Sequence, residues 1–255
     1  MEQRLWFDTV AQLYDSIRPG YPPSLIDDLL WLSRITPGAH ILDIGCGTGK
    51  STEPFAARGF KVCALDPGSN MLEICKEKLR KYPNVSYVNA TFETWAANGL
   101  KFDLVISGTA FHWMTEVGGE QLLRLLNPQG SIGIFWHTFI HGRGPIYEQI
   151  NQVYKKYAPD LYSDDPYAIQ ECNDRRKEER LLSWTEFSDW RVIRYYSHMC
   201  YTTSGYLNLL RTWSDHSNLS DTFFNEIASV IDIAGGKLIK PIRTTLCFAK
   251  GVTVS

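Results

Sequence analysis

No stretch of the 255-residue chain approaches the roughly 18 consecutive apolar residues that a helix needs to cross a bilayer, so membrane insertion is excluded. Charge of one sign is not in excess either. Lys and Arg number 26 against 28 Asp and Glu, a formal net charge of -2, and a protein that wraps a phosphate backbone needs a basic stripe to do so. Nucleic acid is therefore not the expected partner. The six cysteines (Cys46, Cys63, Cys75, Cys172, Cys200, Cys247) are scattered without a C-x-x-C pair. The opening Met1-Glu2-Gln3-Arg4 lacks the apolar core of a secretory signal, so a reducing, cytoplasmic setting is expected. Internal repeats and low-complexity tracts are missing too. What the chain does have is 44% hydrophobic and 13% aromatic residues, enough for one large core.

From Ile41 to Phe135, short apolar runs alternate with amphipathic segments, the pattern of a parallel sheet covered by helices. Strands are expected at Ile41–Ile44, Lys61–Leu65, Val85–Asn89, Phe102–Ser107 and Ser131–Phe135, with helices near Ser51–Ala57, Asn70–Lys81 and Glu120–Leu126. Four βα units in succession predict a doubly wound sheet. An apolar helix near Leu25–Leu32 precedes it. Past Phe135 the rhythm changes, with a helix at Tyr147–Tyr157, a loop at Ala158–Pro166 and a mixed charge run at Asn173–Arg180 that reads as a solvated helix face. Strand signals return at Trp190–Tyr196 and Thr244–Lys250 around helices Ser204–Trp213 and Ser220–Ala234. The expected fold is α/β, a Rossmann-like, mostly parallel sheet with helices on both faces. The last strand is antiparallel, and a helical insertion follows the fifth.

The most informative stretch is Ile41-Leu42-Asp43-Ile44-Gly45-Cys46-Gly47-Thr48-Gly49-Lys50, an apolar strand entering a glycine loop that opens a helix. Such loops let backbone approach a ligand closely. The dinucleotide pattern G-x-G-x-x-G fails because Lys50 holds its sixth place, and a phosphate-binding P-loop fails because Ile44 stands where its first glycine belongs. The pattern that fits is acid-x-Gly-x-Gly-x-Gly, with a second acid, Asp66, 17 residues after Gly49.

This pattern resembles the first motif of class I S-adenosylmethionine-dependent methyltransferases. The resemblance implies a donor site of Asp43, Gly45, Gly47 and Gly49, with Asp66 gripping ribose hydroxyls and Met71 packed on the adenine. Ala90, Thr91 and Phe92 would run along its edge, and Thr109 would lie under the methionine portion. Leu126-Asn127-Pro128-Gln129-Gly130 is similar to the family's turn before the fifth strand. The stretches Tyr14–Pro22, Ala110–Trp113 and Tyr206–Ser214 resemble the type 11 methyltransferases, in particular their trans-aconitate methyltransferase branch. One methyltransferase domain is implied over 1–255. Within it, 1–36 forms a lid and helix, 37–136 the donor-binding core, 137–185 a cap insertion and 186–255 the completion of the sheet.

The cofactor implied is S-adenosylmethionine, and the partner a small-molecule acceptor methylated on a carboxylate or phenol oxygen. The alternative is a donor-binding regulator or scaffold without catalysis. His112, at the end of the fourth strand, is the best placed base, or else walls the pocket with Trp113. Tyr14 and Arg18 belong to the segment over the methionine end. There Arg18 either grips a carboxylate with its planar fork or fastens the segment to the core. His137 and His141 have metal-like spacing but no third ligand, so they read as satisfied loop histidines and no metal is expected. Trp136, Trp184, Trp190 and Trp213 fall in the cap region.

Overall fold

The computed structural model describes residues 6–114 and 117–252; Met1–Arg4 lie outside them. Seven strands form one sheet: β1 (His40–Ile44), β2 (Lys61–Asp66), β3 (Val85–Asn89), β4 (Phe102–Gly108), β5 (Leu126–Phe139), β6 (Phe187–Thr202) and β7 (Lys237–Gly251). Their spatial order is β3-β2-β1-β4-β5-β7-β6. β1 to β5 pair in parallel, and β7 enters antiparallel to both β5 and β6. The mixed sheet with an antiparallel last strand is thus as expected.

Helices α1 (Trp6–Thr9), α2 (Ala11–Ile17) and α3 (Pro23–Ser33) precede the sheet. α4 (Glu53–Ala56), α5 (Ser69–Leu79) and α6 (Gly119–Leu123) lie between its parallel strands. α7 (Pro145–Tyr157) and α8 (Pro166–Leu182) follow β5, and α9 (Thr203–Arg211) and α10 (Asp221–Ile233) separate β6 from β7.

Alternation along the central strands sorts the core into two faces. Ile41, Leu104 and Ile106 join Leu25 and Leu29 of α3, while Leu42, Ile44 and Val105 join Ile132, Ile134 and Cys247 on the other side. α3 starts with Pro23 at its first position, where a missing N–H costs nothing, and it buries Leu25, Ile26 and Leu29 on one stripe. A third cluster, built from α7, α9 and α10 with Tyr201, Leu238 and Ile242, forms the cap.

After β1 the chain steps outward through β2 and β3, then returns to place β4 on the other side of β1. Their adjacent C-terminal ends form the crevice where open α/β sheets hold ligands.

The last three strands run past the expected limits. β5 continues to Phe139, so the insertion begins after it and His137 sits on a strand. β6 and β7 stay paired from Phe187–Gly251 to Thr202–Lys237, beyond the end of β5. Out there one face is covered by cap helices and the other is exposed, so the near-continuous apolar run of a strand buried on both faces gives way to mixed residues while the hydrogen-bond ladder continues.

The charge run also differs from expectation. α8 opens with Asp165 accepting from the Ala168 amide at 2.9 Å. Within the run Asp174 is 3% exposed and accepts from Trp136 Nε1 at 2.9 Å, Thr138 Oγ1 at 2.5 Å and Arg243 Nη2 at 2.8 Å. Burial pushes its carboxyl up, but these bonds prevail and hold it below the usual carboxylate range. Arg243, itself buried, is shared with Glu171. The run is therefore a solvated face with one buried hub that ties α8 to β5 and β7. Asp174→Ala leaves the Arg243 guanidinium short of its buried partner and should lower unfolding free energy by about 3–5 kcal/mol. Urea denaturation checks this, and a loss under about 1 kcal/mol would show that the hub does little to hold α8 on the sheet.

Candidate functional site

β1 delivers the glycine loop to the crevice. The Gly45 and Cys46 amides both donate to the Leu65 carbonyl, at 2.8 and 3.1 Å, stitching the loop to β2. Gly45 has φ +71°, and a Cβ there would come within 2.3 Å of the Ala110 Cβ, so only glycine lets the loop lie against the exit of β4. Gly49 (φ +84°) faces the other way, and its Cβ would meet Cys75 Sγ of α5 at 2.8 Å. Asp43 is fully buried and accepts from Ser51 Oγ and Thr52 Oγ1, both at 2.7 Å. Asp43 and Gly49 thus shape the loop from behind the cavity wall and do not line it.

The cavity itself, about 560 Å³, lies over the ends of β1 and β4. Asp66 closes β2 at its edge. One carboxylate oxygen accepts from the Gly47 amide and the other from the Gly68 amide, each at 2.8 Å. Burial pushes this carboxyl up to about 6, a rise opposed by the two amides and helped by Asp8. Met71 lines the cavity, its amide held at 3.0 Å by Asp8. Ala90, Thr91 and Phe92 form the wall after β3. All the expected donor residues except Asp43 and Gly49 therefore meet in one space.

At the β4 end Thr109 sits at φ +55°, a strained setting for a β-branched residue. Its amide donates to the Phe135 carbonyl at 2.7 Å, and its hydroxyl lies 2.9 Å from the Tyr21 hydroxyl. Tyr21 stacks on His137, with centroids 4.6 Å apart and rings inclined by 15°. His137 was not expected at the site, while Tyr21 belongs to the Tyr14–Pro22 segment expected to lie over it. A signal for Tyr21 lay in Gly108, where a Cβ would come within 2.6 Å of the Tyr21 hydroxyl.

The loop-histidine expectation fails for His137. It is a strand residue in the cavity wall, its Nδ1 lies 2.9 Å from Thr244 Oγ1, and among the described residues its Nε2 has no well-formed hydrogen bond, the Gly20 backbone being the polar group that acts on the ring. Burial, helped by Arg18, pulls its pKa down to about 4, leaving it neutral.

Arg18 donates to Thr212 Oγ1 at 2.8 Å and to the Thr212 carbonyl at 3.1 Å. Its guanidinium lies 5.2, 5.3 and 5.9 Å from the ring centres of Tyr14, Phe139 and Trp213. Among the described residues no carboxylate comes within ion-pair distance of it. Arg18 therefore ties the N-terminal segment to the end of α9 in the cap, and it also presents a buried cation to the cavity that Tyr14 helps line. A second fastening lies at Asp15, whose Oδ1 accepts from Thr48 Oγ1 and Lys78 Nζ, both at 2.6 Å.

His112 and Trp113, on a short 3-10 turn (Phe111–Trp113), complete the wall, with Trp113 edge-on to Phe7. Burial, then Lys177, pulls His112 down to about 4. Sequence reasoning missed Asp8, Asp174, Lys177 and Asp215 in this lining, because their helices reach the cavity only through the tertiary fold.

Residues 41–130 match the family model described as a methyltransferase domain. An uncharacterized methyltransferase of Mycobacterium bovis is 33% identical over 140 residues, 54% of this chain and 54% of that protein. A probable S-adenosylmethionine-dependent methyltransferase of Saccharomyces cerevisiae is 32% identical over 65% of this chain and 56% of its own length. The chain spans about half the length of these curated relatives. Among solved structures, a provisionally named type II methyltransferase of Anaeromyxobacter dehalogenans superposes with a TM-score of 0.64 at 20% identity, covering 92% of this chain and 97% of that one. Residues 41–130 thus match a methyltransferase domain, and the fold around them is shared with that solved structure over nearly the whole chain.

The electrostatics of Asp66 carry a measurable consequence. A carboxyl raised in the folded state binds protons more readily there than in the unfolded chain, so its contribution favours folding at low pH and is lost as pH rises from about 4 to 6. Relative to wild type, Asp66→Asn should gain roughly 1–3 kcal/mol between pH 5 and pH 7. Paired denaturation curves at the two pH values measure it; a relative loss would mean that the two amides already overcome the burial.

Proposed function

We propose that this chain transfers a methyl group from S-adenosylmethionine to an oxygen of a small-molecule acceptor, a carboxylate or a phenol. The observation that carries the reading is Asp66. Its carboxylate is fixed by two backbone amides on one side and borders the cavity on the other, beside Gly45 and Gly47, which carry no side chain to obstruct a ligand.

The residues fit the donor. Asp66 would hold ribose hydroxyls, Met71, Ala90, Thr91 and Phe92 would surround the adenine, and Gly45, Gly47 and Thr109 would border the methionine portion under Tyr14 and Arg18. When bound, the donor supplies an electrophilic methyl on a sulfonium centre. The protein's part is to bring the acceptor oxygen into line and keep water out. A carboxylate arrives ionised and needs no base. For a phenol, His112 is neutral at working pH and its ring makes no hydrogen bond to the described protein, so it can accept a proton, though its low pKa makes it a weak base.

The resemblance of Tyr14–Pro22 to the trans-aconitate methyltransferase branch favours a carboxylate, with Arg18 as its counter-charge. Small-molecule acceptors also occur among similar proteins. The demethylmenaquinone methyltransferase of Paenarthrobacter aurescens is 24% identical over 74% of this chain and 81% of its own. The reading takes 1–255 as one cytoplasmic enzyme with lid, core, cap and sheet completion as laid out above. It requires no metal and no nucleic acid.

Purified protein should melt higher with S-adenosylhomocysteine, by about 2.7 kcal/mol of stabilisation at a hundred times its Kd, and not with NAD. A shift with NAD alone would overturn the reading. Asp66→Ala should weaken S-adenosylhomocysteine binding about 10- to 100-fold by calorimetry. With an acceptor in hand, Arg18→Ala should chiefly raise its KM and His112→Ala chiefly lower kcat, in assays at saturating donor. An impaired His112→Ala enzyme whose pH profile is unshifted would leave His112 as wall.

A further inference from the structure

Beside His112 the cavity adjoins a second space of about 190 Å³, between α8 and the end of β5. Thr109, Ala110, His112, Trp136 and Lys177 border both, so the two meet where the reacting oxygen would stand. The floor of this side slot is apolar: Phe111, with Ile134, Phe135 and Leu181, the last three no more than 2% exposed.

The rim is different. Arg176, Lys177 and Arg180 reach it from one side of α8, at helical spacings i, i+1 and i+4, and among the described residues no carboxylate lines the slot. The three cations are engaged to different extents. Arg180 donates to the carbonyls of Met114 at 2.6 Å and Val117 at 2.9 Å. Lys177 stands 3.4 Å from Asp174, whose carboxylate is already taken by Trp136, Thr138 and Arg243. Arg176 is exposed and makes no ion pair with any described residue.

An apolar floor under a cationic rim complements one kind of molecule. An ammonium would be repelled at the rim, and a neutral apolar molecule would gain contact area but no charge. A planar guanidinium at the mouth favours a carboxylate or phosphate, which it can grip with two N–H groups.

We infer that the acceptor is an anionic amphiphile. Its aryl or short alkyl body lies in the slot, its anionic group pairs with Arg176 and Lys177, and its nucleophilic oxygen stands beside His112. The placement of the reacting oxygen rests on the methyltransferase reading; the preference of the slot for an anion does not. If the methylated group is itself a carboxylate, the acceptor then carries a second acidic group.

Three probes of one shape and different charge test this: 3-phenylpropanoate, 3-phenylpropan-1-ol and 3-phenylpropylamine, titrated by calorimetry with and without saturating S-adenosylhomocysteine. The acid should bind at least about tenfold tighter than the alcohol, and the amine weakest. Arg176→Glu should abolish that order while leaving S-adenosylhomocysteine affinity unchanged. The exposed Arg80→Glu, just past α5, should change nothing. Leu181→Trp, which fills the slot, should weaken all three, with its melting curve checked against wild type. Equal binding of acid and alcohol by wild type overturns the inference, as does an acid preference that survives in Arg176→Glu. An acid preference in a protein that binds no S-adenosylhomocysteine would sink the methyltransferase reading and keep the slot; the opposite pair of results would do the reverse.

Discussion

A buried carboxylate must find donors or give up its charge, and Asp66 finds them in the amides of Gly47 and Gly68. Much of the site follows from that arrangement. The Gly47 bond fixes the loop after β1 against the end of β2, and the Gly68 bond sets the start of α5. Because two amides occupy one side of the carboxylate, its remaining lone pairs have only the cavity to face. The rise of its pKa to about 6 shows that two hydrogen bonds do not fully replace lost water. Hydroxyl groups on the proposed ligand would supply the remainder.

The opposite end of the cavity is built on a different economy, of rings and one cation. Tyr14, Phe139 and Trp213 surround the Arg18 guanidinium, and Tyr21 props Thr109 in a backbone conformation that a β-branched side chain disfavours. Strain of this sort persists only where neighbours over-determine it, and here the neighbours come from the N-terminal segment, β4 and β5 together. The same contacts that fasten α2 over the cavity therefore also hold the wall beneath it in shape.

The β1 to β5 half of the sheet and the corner around Asp66 were legible because their rules are local. β1 is buried on both faces, so it reads as a plain apolar run, and the glycine loop announces itself because Gly45 can carry no Cβ beside Ala110. The cap half obeys rules that span the fold. Asp174 looks like one more charge among Arg175, Arg176 and Lys177, and only the arrival of Trp136, Thr138 and Arg243 from two other elements distinguishes it. Tyr21 and Thr109 are 88 residues apart, beyond any periodicity. His137 read as a loop residue because β5 outruns its apolar signal, the last turns of the ladder being covered by helices from later in the chain.

The insertion of β7 between β5 and β6 has a consequence for how the molecule is made. On the ribosome, β1 to β5 can assemble in order, each new strand meeting a neighbour already present. β6 cannot: it has no partner until β7, the last strand of the described chain, has emerged, and it must then receive β7 on one edge while β5 takes the other. Until that moment β5 carries an open hydrogen-bonding edge, and sixteen residues of β6 wait unpaired with the aromatic side chains of Trp190, Tyr195, Tyr196 and Tyr201. Pairing at such sequence separation is slow, and unpaired edges invite other chains. Misassembly is thus the greatest hazard in the interval before β7 joins the sheet, when β1 to β5 are already paired and β6 is not.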